Sequence, residues 1–220
     1  MRLWIPLGLA ALPLCIASIY LSFSSPPPIE DGGIAPPDSY RIIYVHVPPA
    51  WISYLSMGFS LTSSIIYLAW RRVEADIIAL SSMRIGLPLS WVTIATGSLW
   101  AKVAWGEYWS WDPRQTATLV LALAFTGYFI IRWSINELDR RRRVSAIYAI
   151  SSSITVPLSY YSAILWRTLH PIVITREGIA LAHHTFLILM INVATALIIF
   201  LTLLTLSYDA ESRSLRRSGS

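Results

Sequence analysis

Residues 100 to 114 read Trp-Ala-Lys-Val-Ala-Trp-Gly-Glu-Tyr-Trp-Ser-Trp-Asp-Pro-Arg, which gathers Trp100, Trp105, Tyr108, Trp109 and Trp111 beside Lys102, Asp112 and Arg114. Connectors need little surface, and exposed rings invite association, so this concentration points to a flat, amphipathic platform for a large planar ligand. Four histidines accompany it: His46, His170, His183 and His184. His46 and His170 lie at the ends of apolar runs, each followed closely by a proline, Pro48 or Pro171, that fixes the local backbone. Two neutral imidazoles facing each other across a porphyrin would complete the axial coordination of its iron. Taken singly, each histidine reads more readily as an interfacial side chain bonded to a loop carbonyl than as a ligand. Folded as a short helix, the motif would put Trp105, Trp109 and Asp112 on one face at i, i+4 and i+7, with Tyr108 and Trp111 adjacent. Lys102, Arg114 and Arg41 are candidate partners for carboxylates such as haem propionates. The direct role of Asp112, followed by Pro113, is to cap the next helix.

The elements that position these residues are apolar runs. The chain has 220 residues, 55% hydrophobic and 13% charged, where a soluble domain carries about 25% charged residues. It belongs in a bilayer. Six stretches, approximately 3–23, 50–70, 82–101, 114–133, 146–165 and 182–206, approach the roughly 20 residues needed to cross the hydrocarbon. The expected fold is therefore all-α: a single integral membrane domain over 1–220, polytopic, with six transmembrane helices and the tryptophan motif on a short external helix. The loops on the motif's side are 24–49, 102–113 and 166–181. A signal peptide is disfavoured for the first run, because Pro6 and Pro13 interrupt it and Ser24-Ser25-Pro26-Pro27-Pro28 offers no clear small-x-small site.

Cations set the expected orientation. Arg2, Arg71, Arg72, Arg84, Arg132, Arg140, Arg141, Arg142, Arg143, Arg213, Arg216 and Arg217 fall on one side, against Arg41, Lys102, Arg114, Arg167 and Arg176 on the other, so both termini are expected to be cytoplasmic. The net charge of +5 follows from that asymmetry and suits anionic membrane lipid rather than nucleic acid. Arg84 reads as a snorkelling cation, and the run from Arg140 to Arg143 as a topology anchor that could also meet a cytoplasmic ATPase. Cys15 is the single cysteine. With no CxxCH site, any haem here is held by coordination and packing alone.

Trp-Gly-Glu-Tyr-Trp-Ser-Trp-Asp-Pro-Arg (105–114) resembles the tryptophan-rich WGxxWxWD signature of the haem-handling membrane proteins of cytochrome c biogenesis. Together with Arg41-Ile42-Ile43-Tyr44-Val45-His46-Val47-Pro48 upstream, Gly97-Ser98-Leu99-Trp100 just before it and Trp166-Arg167-Thr168-Leu169-His170 downstream, it resembles the six-span CcmC family, in the same order from 40 to 171. The resemblance implies that His46 and His170 are the axial ligands of one non-covalent haem b (iron protoporphyrin IX). It further implies that Trp100, Trp105, Tyr108, Trp109, Trp111 and Asp112 form the platform, and that Arg41 and Arg114 serve the propionates or a partner surface. It implies a prokaryotic cytoplasmic membrane protein with its haem site on the periplasmic side. Haem would pass to the chaperone CcmE, with the ABC transporter pair CcmA and CcmB and the small protein CcmD completing the complex. Tyr108 departs from the family pattern, where many members carry another tryptophan, and the His183-His184 pair has no counterpart in it.

Two rival functions fit parts of the chain. A cytochrome b-type electron-transfer protein would place haem ligands within facing spans, whereas these histidines lie at the edges of the apolar runs. A haem-free permease subunit docking a periplasmic partner explains the rings but not the histidines. No general acid or base stands out beyond the two ligands, so the chain reads as a transfer protein rather than an enzyme, with assistance to covalent haem attachment left open.

Overall fold

The computed structural model describes residues 3–28, 34–171, 174–175, 178–179 and 181–218. Arg2 and Arg176, both used in the cation count, lie outside them. Among the described residues there are seven helices: α1 (Trp4–Ser24), α2 (Ile43–Trp70), α3 (Val73–Trp105), α4 (Pro113–Ser134), α5 (Leu138–Ser152), α6 (Thr155–Leu165) and α7 (His183–Ser218). A 3-10 turn, Pro37–Ile42, runs straight into α2. The all-α expectation holds apart from a two-residue antiparallel ladder, Ile174–Thr175 with Gly178–Ile179, in the loop before α7.

The helices α1, α2 with its leading turn, α3, α4 and α7 are long and apolar enough to cross a membrane. The run expected as the fifth span is two helices in series, α5 and α6, parted at Ser153 and Ile154. Pro157 lacks the N–H that would bond the Ser153 carbonyl, and a run of three serines, Ser151 to Ser153, leads into the break.

Close packing is built from small residues. Ser53, Ser56, Ser60, Ser63 and Ser64 of α2 are buried, as are Ser81, Ser82 and Ser90 of α3. A side chain on Gly86 would overlap the Phe125 ring of α4 and press on Ser56. In lipid, where burying apolar surface gives no gain, such residues let backbones approach and dispersion hold them. Met57, Met83, Leu121, Phe125 and Tyr128 fill the centre between α2, α3, α4 and α5, and Phe200 and Leu204 bring α7 against Ile52 and Ile85. Leu9, Leu12, Ile16, Ile19 and Phe23 of α1 face outward.

Helix alternation gives the bundle two ends. At one, hereafter the histidine end, α2, α4 and α7 begin and α3 and α6 finish. At the other, the arginine end, the Asp76 carboxylate is held by Arg132 through two 2.8 Å bonds and lies 3.4 Å from Nε of Arg142. Three residues depart here from their expected roles, Arg142 among them, since it is buried beside Asp76 rather than solvated in the basic loop. Arg132 is a buried ion-pair partner rather than a loop cation, because its position on α4 faces Asp76 of α3. Arg84 donates to Glu211 of α7 at 2.8 Å instead of merely reaching for water.

Candidate functional site

His46 sits in the first turns of α2, whose following residues Pro48 and Pro49 remove two backbone donors. Its Nδ1 lies 2.9 Å from Thr96 Oγ1 on α3. The Thr96 hydroxyl donates to the Val92 carbonyl at 2.8 Å, so it accepts from the ring, and Nδ1 carries the proton. Gly97 makes room: a Cβ there would meet the ring's Cε1 at 3.0 Å. His170 lies in the segment after α6, with Nδ1 2.9 Å from the Pro171 carbonyl, an acceptor that again demands a protonated Nδ1. Each ring therefore turns a bare Nε2 outward from its bond, the arrangement by which outer hydrogen bonds fix a metal-ligating tautomer. The ring centroids are 6.2 Å apart at an interplanar angle of 41°. A metal bonded to two imidazoles at about 2 Å per nitrogen sets their centres roughly 6 Å apart. Burial and the nearby Arg114 guanidinium push the His170 imidazole down to about 4, so it is neutral and ligand-competent at pH 7.

The histidine pair separates two clefts. One, an open cleft of about 530 Å³ counting its solvent-exposed mouth, is lined by Trp100, Trp105, Trp109, Thr93, Gly97 and Gln115. The other, about 890 Å³, is lined by Trp51, Tyr160, Ile164, Phe186, Leu189 and Met190. His46, His170 and Arg114 border both. A flat molecule lying between the two rings would reach into both halves. Trp105 Nε1 is buried with no partner among the described residues, leaving a donor at the cleft wall for an acceptor on whatever binds there.

Asp112 organises the region without lining either cleft. Only 6% exposed, it caps α4 by accepting from the Arg114 N–H at 2.8 Å, as the Asp-Pro pair predicts. It also accepts from the Thr168 hydroxyl, at 2.7 and 2.8 Å to its two oxygens, and from the Leu169 N–H at 2.8 Å. Thr168 in turn accepts from the His170 N–H at 3.0 Å. The carboxylate thus ties the start of α4 to the stretch carrying His170, a positioning role that spacing alone did not disclose.

The expected external helix is absent. α3 ends at Trp105, Gly106 takes a left-handed φ of 84°, and the chain runs irregularly until Asp112 caps α4. Trp111 is itself left-handed, with φ 57°. The i, i+4, i+7 face therefore does not form. Gln115 holds the loop instead, accepting from the Ser110 N–H at 3.1 Å and donating to the Tyr108 carbonyl at 3.4 Å. Trp100, Trp105 and Trp109 reach the cleft, whereas Trp111 is 71% and Tyr108 57% exposed. Trp111 meets Trp109 edge-on at 5.7 Å, and Lys102 Nζ lies 5.5 Å over the Tyr108 ring.

The arginines are engaged with protein. Arg114 Nη1 donates to the Ser159 and Tyr160 carbonyls of α6 at 2.7 and 2.8 Å, while bordering both clefts. Arg41 bonds Asp38 at 2.9 Å and the Ser22 carbonyl of α1 at 2.9 Å, and lines neither. His183 and His184 begin α7 outside both clefts, with His184 Nε2 3.2 Å from Thr185 Oγ1. Thr96, Thr168 and Gln115 are the positioning residues that sequence reasoning missed. Gln115 carried a signal, since Asp112-Pro113-Arg114-Gln115 has the spacing of a capping box, and Thr168 lies within the Trp166–His170 motif, whereas nothing marked Thr96.

Comparison with known proteins supplies independent information. The profile of the family described as "CcmC: Heme exporter protein C" matches residues 1–219. A protein of Bradyrhizobium diazoefficiens named "Heme exporter protein C" is 31% identical over 199 residues, covering 90% of this chain and 74% of that protein. A Marchantia polymorpha protein named "Putative cytochrome c biosynthesis ccmC-like mitochondrial protein" is 31% identical over 86% of this chain and 78% of its own length. The "Heme exporter protein C" of Escherichia coli K12 is 32% identical over 63% of this chain and 58% of its own length.

Proposed function

Because the chain belongs to the Heme exporter protein C family, we propose that it handles haem for cytochrome c maturation, holding its cargo at the histidine end of a multi-pass membrane bundle. The observation that carries this reading is the histidine pair, with 6.2 Å between ring centroids and both Nδ1 atoms already bonded. Haem brings an iron that accepts two axial nitrogens, and on this reading Nε2 of His46 and of His170 provide them. Trp100, Trp105 and Trp109 offer π faces to one side of the macrocycle, and the apolar wall of Trp51, Phe186 and Met190 receives the other. Trp105 Nε1 and Arg114 are the polar contacts available to propionates.

Asp112 and Thr168 act through His170 rather than on the cargo. Exposed Trp111 and Tyr108 sit beside the cleft as a surface for an incoming acceptor, which the family relationship suggests is the periplasmic chaperone CcmE, with CcmA, CcmB and CcmD alongside. On this reading the histidine end faces the periplasm of a prokaryotic cytoplasmic membrane, and the haem is haem b, bound without a covalent bond. On this reading the protein positions and hands over its cargo.

The test is the visible spectrum of the purified full-length protein. Bis-imidazole bands are expected in the wild type and should be lost in both His46→Ala and His170→Ala. Unchanged bands in either variant would refute the ligand assignment.

A further inference from the structure

Away from the histidine end, a cleft of about 770 Å³ opens among α3, α4, α5 and α7. Arg84, Arg132, Arg141 and Arg142 line it, against only Asp76 and Glu211. Both Asp76 oxygens are already taken by Arg132, and Glu211 is paired with Arg84. Arg142 is 7% exposed and its Nη1 lies 3.9 Å from the exposed Asp139 carboxylate, yet its Nε, 3.4 Å from Asp76, is not aligned to donate. The Nε of Arg141 is likewise buried without a hydrogen-bond partner among the described residues. Guanidinium donors withdrawn from water and left unbonded are costly, and they point to an acceptor that completes them.

We propose that this cleft binds the phosphate of an anionic membrane lipid. Guanidinium forks match tetrahedral phosphate oxygens, and the four arginines outnumber the two carboxylates that line the cleft. The walls argue for an amphiphile rather than a free ion. Trp133, 75% exposed, and Leu138, 39% exposed, continue the cleft outward as apolar surface, with Phe129 and Leu80 behind them. A headgroup among the arginines would lay its acyl chains along those side chains. Because α3, α4, α5 and α7 all contribute, the lipid would fasten four helices at once.

The full-length protein in an uncharged detergent provides the test, by thermal unfolding with short-chain phosphatidylglycerol, short-chain phosphatidylcholine or sodium phosphate at equal concentration. Phosphatidylglycerol is expected to raise the midpoint by about 5 °C at a saturating excess, phosphatidylcholine by much less. Arg141→Gln, which breaks no ion pair described above, should at least halve the rise while the haem spectrum stays that of the wild type. Should that variant fail to fold, Arg141→Lys keeps the charge but removes the planar fork, and should weaken the rise in the same direction. An equal shift with phosphatidylcholine, or a full shift retained in the Arg141 variant, would overturn the site. The whole shift produced by sodium phosphate alone would overturn the lipid as its occupant.

Discussion

A single carboxylate, Asp112, serves a helix and a loop at once: it caps α4 and receives both Thr168 and Leu169. The first duty was legible, because an aspartate before a proline has few other local uses; the second was not, because nothing in the spacing pairs positions 56 residues apart. The same holds for Thr96 beneath His46. The histidines and the three inward tryptophans announced themselves by type, whereas the small hydroxyls that aim them resemble dozens of others in the chain. Thr168→Val tests this layer. It removes the hydroxyl that bridges Asp112 to the His170 N–H, and should cost about 1–3 kcal/mol of stability. Haem retention, followed by titration in the visible region, should fall several-fold with His170 itself intact. Retention equal to the wild type would show that Thr168 does not position the ring.

The helices answered to hydropathy more faithfully than the segments between them. Apolar runs marked where α1, α2, α3, α4 and α7 lie, though the helices overshoot those runs: α2 begins at Ile43 and α3 at Val73, because the flanking residues stay helical ahead of each apolar stretch. The break between α5 and α6 escaped notice, since hydropathy does not register the donor that Pro157 lacks. The tryptophan segment was misjudged for a related reason: ring periodicity suggested a helix, but Gly106 ends one helix and Asp112 starts the next, with too little chain between for a stable helix of its own. Gly106→Ala isolates that stop signal. Nothing lies within 4 Å of the added methyl, so the whole effect comes from forcing a left-handed φ on alanine, about 1 kcal/mol. A lowered unfolding midpoint together with altered tryptophan fluorescence from a displaced Trp109 is expected; an unchanged midpoint would mean the turn tolerates alanine.

Across the molecule, the two ends are built around different buried anions, Asp112 at one and Asp76 at the other. The counting of cations identified the arginine end as basic but not that Arg132 and Arg142 turn inward to Asp76, since charge tallies assume solvated side chains. Removing one member of a buried pair strands the other. Asp76→Ala should therefore destabilise the bundle by about 3–5 kcal/mol, and adding Arg132→Met should restore much of that loss. Thermal unfolding of the two variants side by side checks this, and a double variant no better than the single would argue that the pair stabilises by more than cancelling charge. The histidine end has its own asymmetry. His46 is bolted to the frame through Thr96, whereas among the described residues the stretch bearing His170 is fastened to the bundle through the Asp112 carboxylate. On the proposed haem-binding reading that contact is a latch: a visiting protein that competed for Thr168 and Leu169 would swing one imidazole aside and leave its counterpart where it stands, and unloading would then require no helix to move.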